Sequence, residues 1–343
     1  MVDADRRKFL QSSAAATAGL ALLAGCLTDE NGGVEVEDDF PNETVTMVIP
    51  FGEGGGTDLF ARAIGNEMDE FLGESVAFEN EGGSGGLNGT ADVARAEPDG
   101  YTMVAFNPPS TPSSWLVQQP DFEIGDLKGV ATIGRFPYII YANSDYEIDG
   151  FGDLVDRYED GEFSDIAGQG MGTMVDIVAR ALRDEVGLEW DDYIAYDGGD
   201  EVTTNVMSDE VSVGIGTDTG AESGVADGRL DPIACIPSGG SGVFPDLESI
   251  AEQGYAEEGD NIDTLAMLQP TYWVPPETPD EHIEVLADAA EQAIDTDPVR
   301  EFEEESGNIV EFSGPEAADA LMADVLETVP EVVDLDDIRD EAN

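Results

Sequence analysis

The chain has 343 residues, enough for two ordinary domains, and its 41% apolar content with 14 phenylalanines gives them material for cores. It carries 77 acidic residues against 13 basic ones, a net charge of −64, which repels nucleic acid and anionic lipid and excludes both as partners. The acids are spread along most of the chain rather than gathered in one tail, the pattern of a solvated surface suited to molar salt.

In chain order, the first signal is a leader over 1–25. Arg6 and Arg7 precede a small, weakly apolar run from Ser12 to Gly25, too short to cross a bilayer as a helix, and this reads as a twin-arginine export signal. Leu23-Ala24-Gly25-Cys26 has the form of a lipidation site, with Cys26 as the acylated first residue of the mature chain. Residues 26–40 are Gly- and acid-rich and predict a flexible tether. Without the leader the chain retains 75 acidic and 10 basic residues. The other cysteine, Cys235, falls in a run that reads as a buried strand and is expected to be an inert core thiol.

The body opens with a strand over 44–49, the turn Pro50-Phe51-Gly52-Glu53-Gly54-Gly55-Gly56 and a helix beginning at Thr57-Asp58. That unit leaves backbone N–H groups unpaired at a positive helix end, where a carboxylate or phosphate can sit without a cationic side chain. Phe60, Ala63, Ile64, Met68, Phe71 and Leu72 give the helix one apolar face. A strand over 75–79, a second glycine loop over 80–86, a helix through Val93 and a buried strand over 101–106 complete a β-α-β-α-β half.

A second set begins near Ala142, with a helix over 149–158, a strand over 165–168 and the loop Gln169-Gly170-Met171-Gly172-Thr173. The following helix has Met174, Ile177, Val178, Ala181 and Leu182 on one face. Strands are expected over 193–196 and 211–216, ending at Asp197-Gly198-Gly199 and at a turn over 217–220. Residues 265–274 read as extended, helices close the chain over 280–294 and 315–328, and the acidic end from Asp334 reads as loose. The fold class is α/β with two doubly wound lobes: 41–141 with 266–330 as lobe 1, 142–265 as lobe 2, hinges near Ala142 and Leu265, and 331–343 as a tail. The ligand is expected in the cleft between lobes, where glycine turns stand at the carboxyl ends of strands.

Competing chemistries find little in the residues. Gly54-Gly55-Gly56-Thr57 lacks the Gly-Lys-Ser/Thr ending of a nucleotide P-loop, and 168–172 lacks the dinucleotide spacing. His282 is the only histidine, so nucleophilic triads and histidine metal clusters are unsupported, and no cofactor or metal is expected. A carboxylate-only calcium site stays open, though no EF-hand loop occurs. Asp58 and Arg62 stand at i,i+4, the spacing of a helix-surface ion pair; Arg62 turned toward a ligand is the alternative, and Asp58 is expected to cap the loop's own N–H groups. Trp115, Tyr138 or Trp273 could offer a ring to the cleft, with core packing the favoured reading.

Taken together, VTMVIPFGEGGGTDLFARAI (45–64), VAFENEGGSGGLNGTADVARAEPDGYTMV (76–104), YDGGDEVTTNVMSDEV (196–211), FPDLESIAEQGY (244–255) and VPPETPDEHIEVL (274–286) resemble the substrate-binding proteins of tripartite tricarboxylate transporters, the Bug receptors, in a haloarchaeal type. The resemblance covers nearly the whole mature chain. It implies a periplasmic-binding-protein-like type II fold, closure over a di- or tricarboxylate or similar small anion, and delivery to membrane subunits by a monomeric receptor lipid-anchored outside the cytoplasmic membrane. It places ligand contacts on Phe51, Gly54, Gly55, Gly56, Thr57, Asp58 and Asn107 in one lobe. In the other it places them on Gly170, Met171, Gly172, Thr173 and Asp197. Asp197 stands where the family commonly has lysine, and Glu81 where it often has arginine. The alternatives are a surface receptor presenting its ligand to a sensor, the binding protein of another uptake system, or an enzyme on the same fold using Asp58 or Asp218 as a base.

Overall fold

The computed structural model describes residues 40–257 and 260–342; the leader, Cys26 and nearly all of the tether lie outside the described residues. The first lobe begins with β1 (Val45–Ile49), α1 (Gly56–Leu72), β2 (Val76–Asn80), α2 (Leu87–Ala94), β3 (Thr102–Phe106), α3 (Ser110–Gln118) and β4 (Lys128–Thr132). The second holds β5 (Phe136–Asn143), α4 (Gly150–Glu159), β6 (Asp165–Gln169), α5 (Met174–Ala181), β7 (Asp192–Tyr196), α6 (Gly199–Met207), β8 (Val213–Thr217), α7 (Asp218–Ala226), β9 (Leu230–Cys235), α8 (Asn261–Ala266) and β10 (Met267–Leu268). The chain then returns through β11 (Thr271–Val274) and ends with α9 (Asp280–Ala293), α10 (Asp297–Ser306), α11 (Pro315–Val332) and α12 (Leu335–Ala342).

Each lobe is built on a mixed sheet. The first runs β2-β1-β3-β11-β4, with β1 parallel to β2 and β3, and β11 antiparallel to both its neighbours. The second runs β10-β5-β8-β6-β7, with β9 also pairing β5, and only β6 finds parallel neighbours on both sides. Helices cover these sheets through apolar stripes. On α1 the buried set is Phe60, Ala61, Ile64, Met68 and Leu72, whereas Phe71 points outward at 37% exposure. Gly65 allows α1 to lie close on its strand, because a Cβ there would come 2.8 Å from the Phe78 ring.

The chain passes from the first sheet to the second through Ile133-Gly134-Arg135 and returns through Gln269-Pro270. The two passages are tied together by Ile133 N–H donating to Pro270 O at 2.9 Å. Gly134 is confined between the Phe60 ring and Ile309 O, at 2.5 and 2.6 Å from where a Cβ would stand. These passages correct the expected hinges. Residue 142 lies inside β5, a strand buried along its whole length, so the boundary at 141/142 cuts through the middle of a sheet. Leu265 is helical, in α8, and not part of an extended run.

The acidic end also differs from expectation. Residues 335–342 form α12, whose Ile338 is 1% exposed and whose Arg339 donates to the carbonyls of Leu116 and Val117 at the end of α3. Acidity reads as disorder in the sequence, but one isoleucine and one arginine give the segment a docking face. His282 is buried, stacked on Phe40, with Nδ1 at 2.8 Å from Asp99 O. Cys235 is fully buried in β9, and burial pushes its thiol up to about 12. Among the described residues no group of three or more His, Cys, Asp or Glu could hold a metal ion.

Candidate functional site

Between the two sheets lies a cavity of about 330 Å³. Its first-lobe wall is made by Phe51, Gly55, Gly56, Thr57, Asn107 and Ser110. Its second-lobe wall comes from Gln169, Thr173, Met174 and Val175 together with the β8 end at Gly216 and Thr217. Phe136 and Tyr138 of β5 and Leu268 of β10 complete it, next to the passages between lobes. No lining residue is Lys, Arg, His, Asp, Glu or Cys. Burial drives the Tyr138 phenol far above its ordinary pKa, so it too stays neutral.

The two walls are built alike. Gly56 and Thr57 open α1, and Met174 and Val175 open α5. The first amides of a helix have no acceptor within it, and those of these four residues find none among the described residues. Behind each opening stands an aspartate. Asp58 Oδ2 accepts the Gly54 amide at 2.9 Å, while Oδ1 accepts Arg62 Nε and Asn80 Nδ2, both at 2.8 Å. Asp176 accepts the Gly172 amide and Arg180 Nε, both at 2.8 Å. Burial by itself would raise the Asp58 pKa; the Gly54 amide, Asn80 and Arg62 outweigh it and hold the carboxyl below its usual range. The shared spacing, Gly-x-x-x-Asp-x-x-x-Arg at 54–62 and at 172–180, is visible in the sequence, although only its first copy draws notice there.

The residues expected to touch a ligand therefore divide. Phe51, Gly55, Gly56, Thr57, Asn107 and Thr173 line the cavity. Gly54, Asp58, Gly170, Met171, Gly172 and Asp197 do not. The Gly54 and Gly172 amides are taken by Asp58 and Asp176, and the Gly170 amide by Tyr196 O at 2.9 Å. Asp58 is 3% exposed and holds its own loop; Arg62 holds Asp58 and Asn80 Oδ1 and does not reach the cavity. Asp197 is exposed in an adjoining recess with Asp200 and Glu201, which shares Gly199, Gly216 and Thr217 with the cavity.

The two threonines also part company. The Thr173 hydroxyl donates to Gln169 O and Gly170 O at 2.8 and 2.9 Å, so its proton is committed to its own loop. Thr57 Oγ1 accepts from Asn107 Nδ2 at 2.7 Å, which leaves its proton to donate elsewhere. Of the three aromatics, Tyr138 lines the cavity; Trp115 and Trp273 pack in the first-lobe core, Trp273 stacked on Phe106.

The residues not anticipated include Ser110 and Ser114 of α3, Phe136, and Thr217 and Thr219 around the start of α7. A third rim, α3, reaches across to the second lobe, where the Ser113 hydroxyl donates to Met174 Sδ at 3.1 Å. Asp218, one of the two bases of the enzyme alternative, opens α7 at 1% exposure and does not line the cavity. It accepts Ser241 Oγ–H and Thr219 N–H, both at 2.7 Å, and burial pushes it up to about 6 against those hydrogen bonds.

Two sheets, two connecting passages and an uncharged cleft faced by helix openings from both sides define a two-lobed solute-binding protein. Residues 60–328 match the family model described as tripartite tricarboxylate transporter family receptor. The chain belongs to that family of transporter receptors. It is 26% identical over 272 residues to a UPF0065 protein of Bordetella pertussis, covering 79% of this chain and 82% of that one. It is also 26% identical over 225 residues to Protein BugT of the same organism, covering 64% and 68%. Among solved structures, the periplasmic binding protein BugD superposes with a TM-score of 0.68 at 25% identity, over 85% of this chain and 96% of that one. MatC of Rhodopseudomonas palustris, solved with bound malate, shares the fold at a TM-score of 0.65 and 23% identity, over 89% and 100%. These relatives are bacterial and lend no support to a haloarchaeal type.

Proposed function

We propose that this receptor captures a small organic carboxylate between its lobes and neutralises it with main-chain nitrogens. The observation that carries the reading is the pair of open helix starts, Gly56-Thr57 and Met174-Val175, facing one cavity whose lining has no charged side chain. Each helix end contributes roughly half a positive charge, so the two together offset about one carboxylate. The Thr57 hydroxyl adds a donor beside α1. In this reading capture occurs without chemistry, in keeping with the family of transporter receptors to which the chain belongs.

The passages at 133–135 and 269–270 are the points where one sheet can rotate against the other, and affinity comes from contacts completed only when both walls meet the ligand. The membrane subunits of the transporter then receive the ligand from the closed form. The same reading holds that the chain is exported by its twin-arginine leader, acylated at Cys26, monomeric and adapted to high salt, as the acid surplus suggests. Titration calorimetry with a panel of mono-, di- and tricarboxylates in molar salt tests the core of the proposal. Saturable binding of at least one carboxylate, weakened by Gly55→Asp, is the expected result. Silence toward the whole panel would remove the carboxylate reading.

A further inference from the structure

The triplet Asn-x-Ser/Thr, the acceptor signal for sugar attached to asparagine, occurs twice in the chain, as Asn42-Glu43-Thr44 and Asn88-Gly89-Thr90. The fold treats the two differently. Asn42, Glu43 and Thr44 are all exposed, just ahead of β1. The Asn42 backbone N–H donates to Tyr101 Oη at 3.0 Å, and the Tyr101 hydroxyl donates to Asn42 Oδ1 at 3.3 Å. Those bonds hold the residue by its main chain and its amide oxygen. Nδ2, the atom that takes sugar, and the Thr44 hydroxyl make no hydrogen bond among the described residues.

The second triplet lies inside α2. Thr90 is 0% exposed, and its hydroxyl donates to Gly86 O at 2.7 Å. Gly89 is packed so closely that a Cβ there would stand 3.0 Å from Glu81 O. A transferase that must grip the threonine hydroxyl reaches Thr90 only by unwinding the helix. A twin-arginine leader serves proteins that fold before export, so the folded surface decides which triplet is usable. We propose that Asn42 is an N-glycosylation site, modified on the folded protein outside the membrane, and that Asn88 stays bare. The proposal rests on the export reading above.

The co-substrate is an oligosaccharide carried on a lipid phosphate. Asn42 Nδ2 bonds to the anomeric carbon of the first sugar. The bond from that carbon to the phosphate oxygen breaks, its electron pair leaves with the lipid phosphate, and one Nδ2 proton passes to a base of the transferase. Nothing is oxidised or reduced. The position leaves ligand capture undisturbed. Asn42 and Tyr101 precede the parallel strands β1 and β3, whereas Phe51 and Asn107, which line the cavity, follow them. Each strand has five residues, about 16 Å, so the sugar sits at the end of the sheet away from the cleft, beside the point where the tether joins the body.

Mass spectrometry of the full mature protein, purified from the envelope of the organism that makes it, tests the proposal. The peptide with Asn42 is expected to carry sugar in most copies, and the peptide with Asn88 none. In Thr44→Val the asparagine remains but the added mass should vanish. Thr44 is exposed and its hydroxyl holds nothing, so melting temperature checks that the fold is kept. Exported protein with a bare Asn42 would overturn the inference and leave the export reading intact. Sugar on Asn88, or an adduct on Asn42 that survives Thr44→Val, would overturn it as well. Protein retained inside the cell without sugar would overturn both readings.

Discussion

Asp58 and Asp176 hold equivalent places on opposite walls of the cleft. Each accepts the amide of the glycine four residues before it and the guanidinium of the arginine four residues after it. Neither reaches the cavity, so a pair of anions sits close behind the cleft without lining it. Their charges are spent locally on a loop amide and an arginine. What remains at the surface of the cleft is the positive end of the helix.

Removing one of these aspartates should therefore loosen the loop rather than free the site of a repulsive charge. Asp58→Ala leaves the Gly54 amide without its acceptor and takes from Asn80 Nδ2 one of its two, the other being Phe51 O, a loss of about 1–3 kcal/mol in local order. Ligand affinity is expected to fall about tenfold or more, and Asp58→Asn, which keeps one acceptor, should fall less. Calorimetry on the two variants checks the order. Tighter binding by Asp58→Ala would mean that its charge opposes the ligand.

The two cleft threonines should not be equivalent. Thr57→Val removes the donor freed by Asn107, and affinity is expected to drop roughly tenfold, the scale of a hydrogen bond to a charged group. Thr173→Val removes a hydroxyl already donating to Gln169 O and Gly170 O, so its effect should reach the loop's stability before the ligand. Affinity and melting temperature of both variants, measured together, separate these outcomes. Equal losses of affinity would refute the distinction.

Asp218 gives the protein a pH-dependent strain of known sign. Its folded pKa of about 6 stands above the ordinary 3.8, so below 3.8 the group is neutral in both states and costs nothing. As pH rises through the interval up to about 6, the unfolded chain loses the proton first and stability from this group declines, levelling above it. A tenfold change in proton affinity is worth about 1.4 kcal/mol, so the loss is on the order of 2–3 kcal/mol. Asp218→Asn should remove that decline. Melting curves of both proteins, taken at about pH 4.5 and about pH 7, give the comparison. Parallel pH profiles would show that the buried carboxyl does not titrate as described.

Salt should stabilise the fold. Raising the salt from about 0.1 M to about 1 M shortens the Debye length from about 10 to about 3 Å and screens a surface with 75 acids against 10 bases after the leader. The melting temperature is expected to climb steadily over that range. A flat response would mean that the surplus of acids is not a salt adaptation.

The C-terminal helix should contribute measurably to stability. Ile338→Ala empties a fully packed position, for about 2 kcal/mol or more, and truncation before Leu335 also removes the Arg339 bonds to the end of α3. Thermal unfolding of both variants checks this. Unchanged melting would return the segment to the status of a loose tail.

Much of the architecture is legible in the residues. Strands β1, β2, β3, β6 and β7 fall within a residue or two of their expected ranges, because short apolar runs there are bounded by glycine turns. Strand β5 escapes notice for the opposite reason: buried along its length, it shows no alternation, and its early proline gives no hint of a central strand. The start of α7 reads as a turn because Thr217-Asp218-Thr219-Gly220 has turn composition, whereas Thr217 Oγ1 accepts the Gly220 amide and caps a helix.

From its sequence alone the chain fixes local chemistry: two glycine-led helix starts, an acid-rich surface, and an Asp-Arg spacing that ties each loop to its helix. Those are properties of neighbours along the chain, where hydrogen bonds reach four residues and composition sets the charge. Which amides stay open and which threonine has its proton left to donate depend on contacts between residues as far apart as 57 and 107. Only the packing of the two sheets brings such groups together, because distances across a fold are set by the whole core and by no single stretch of it.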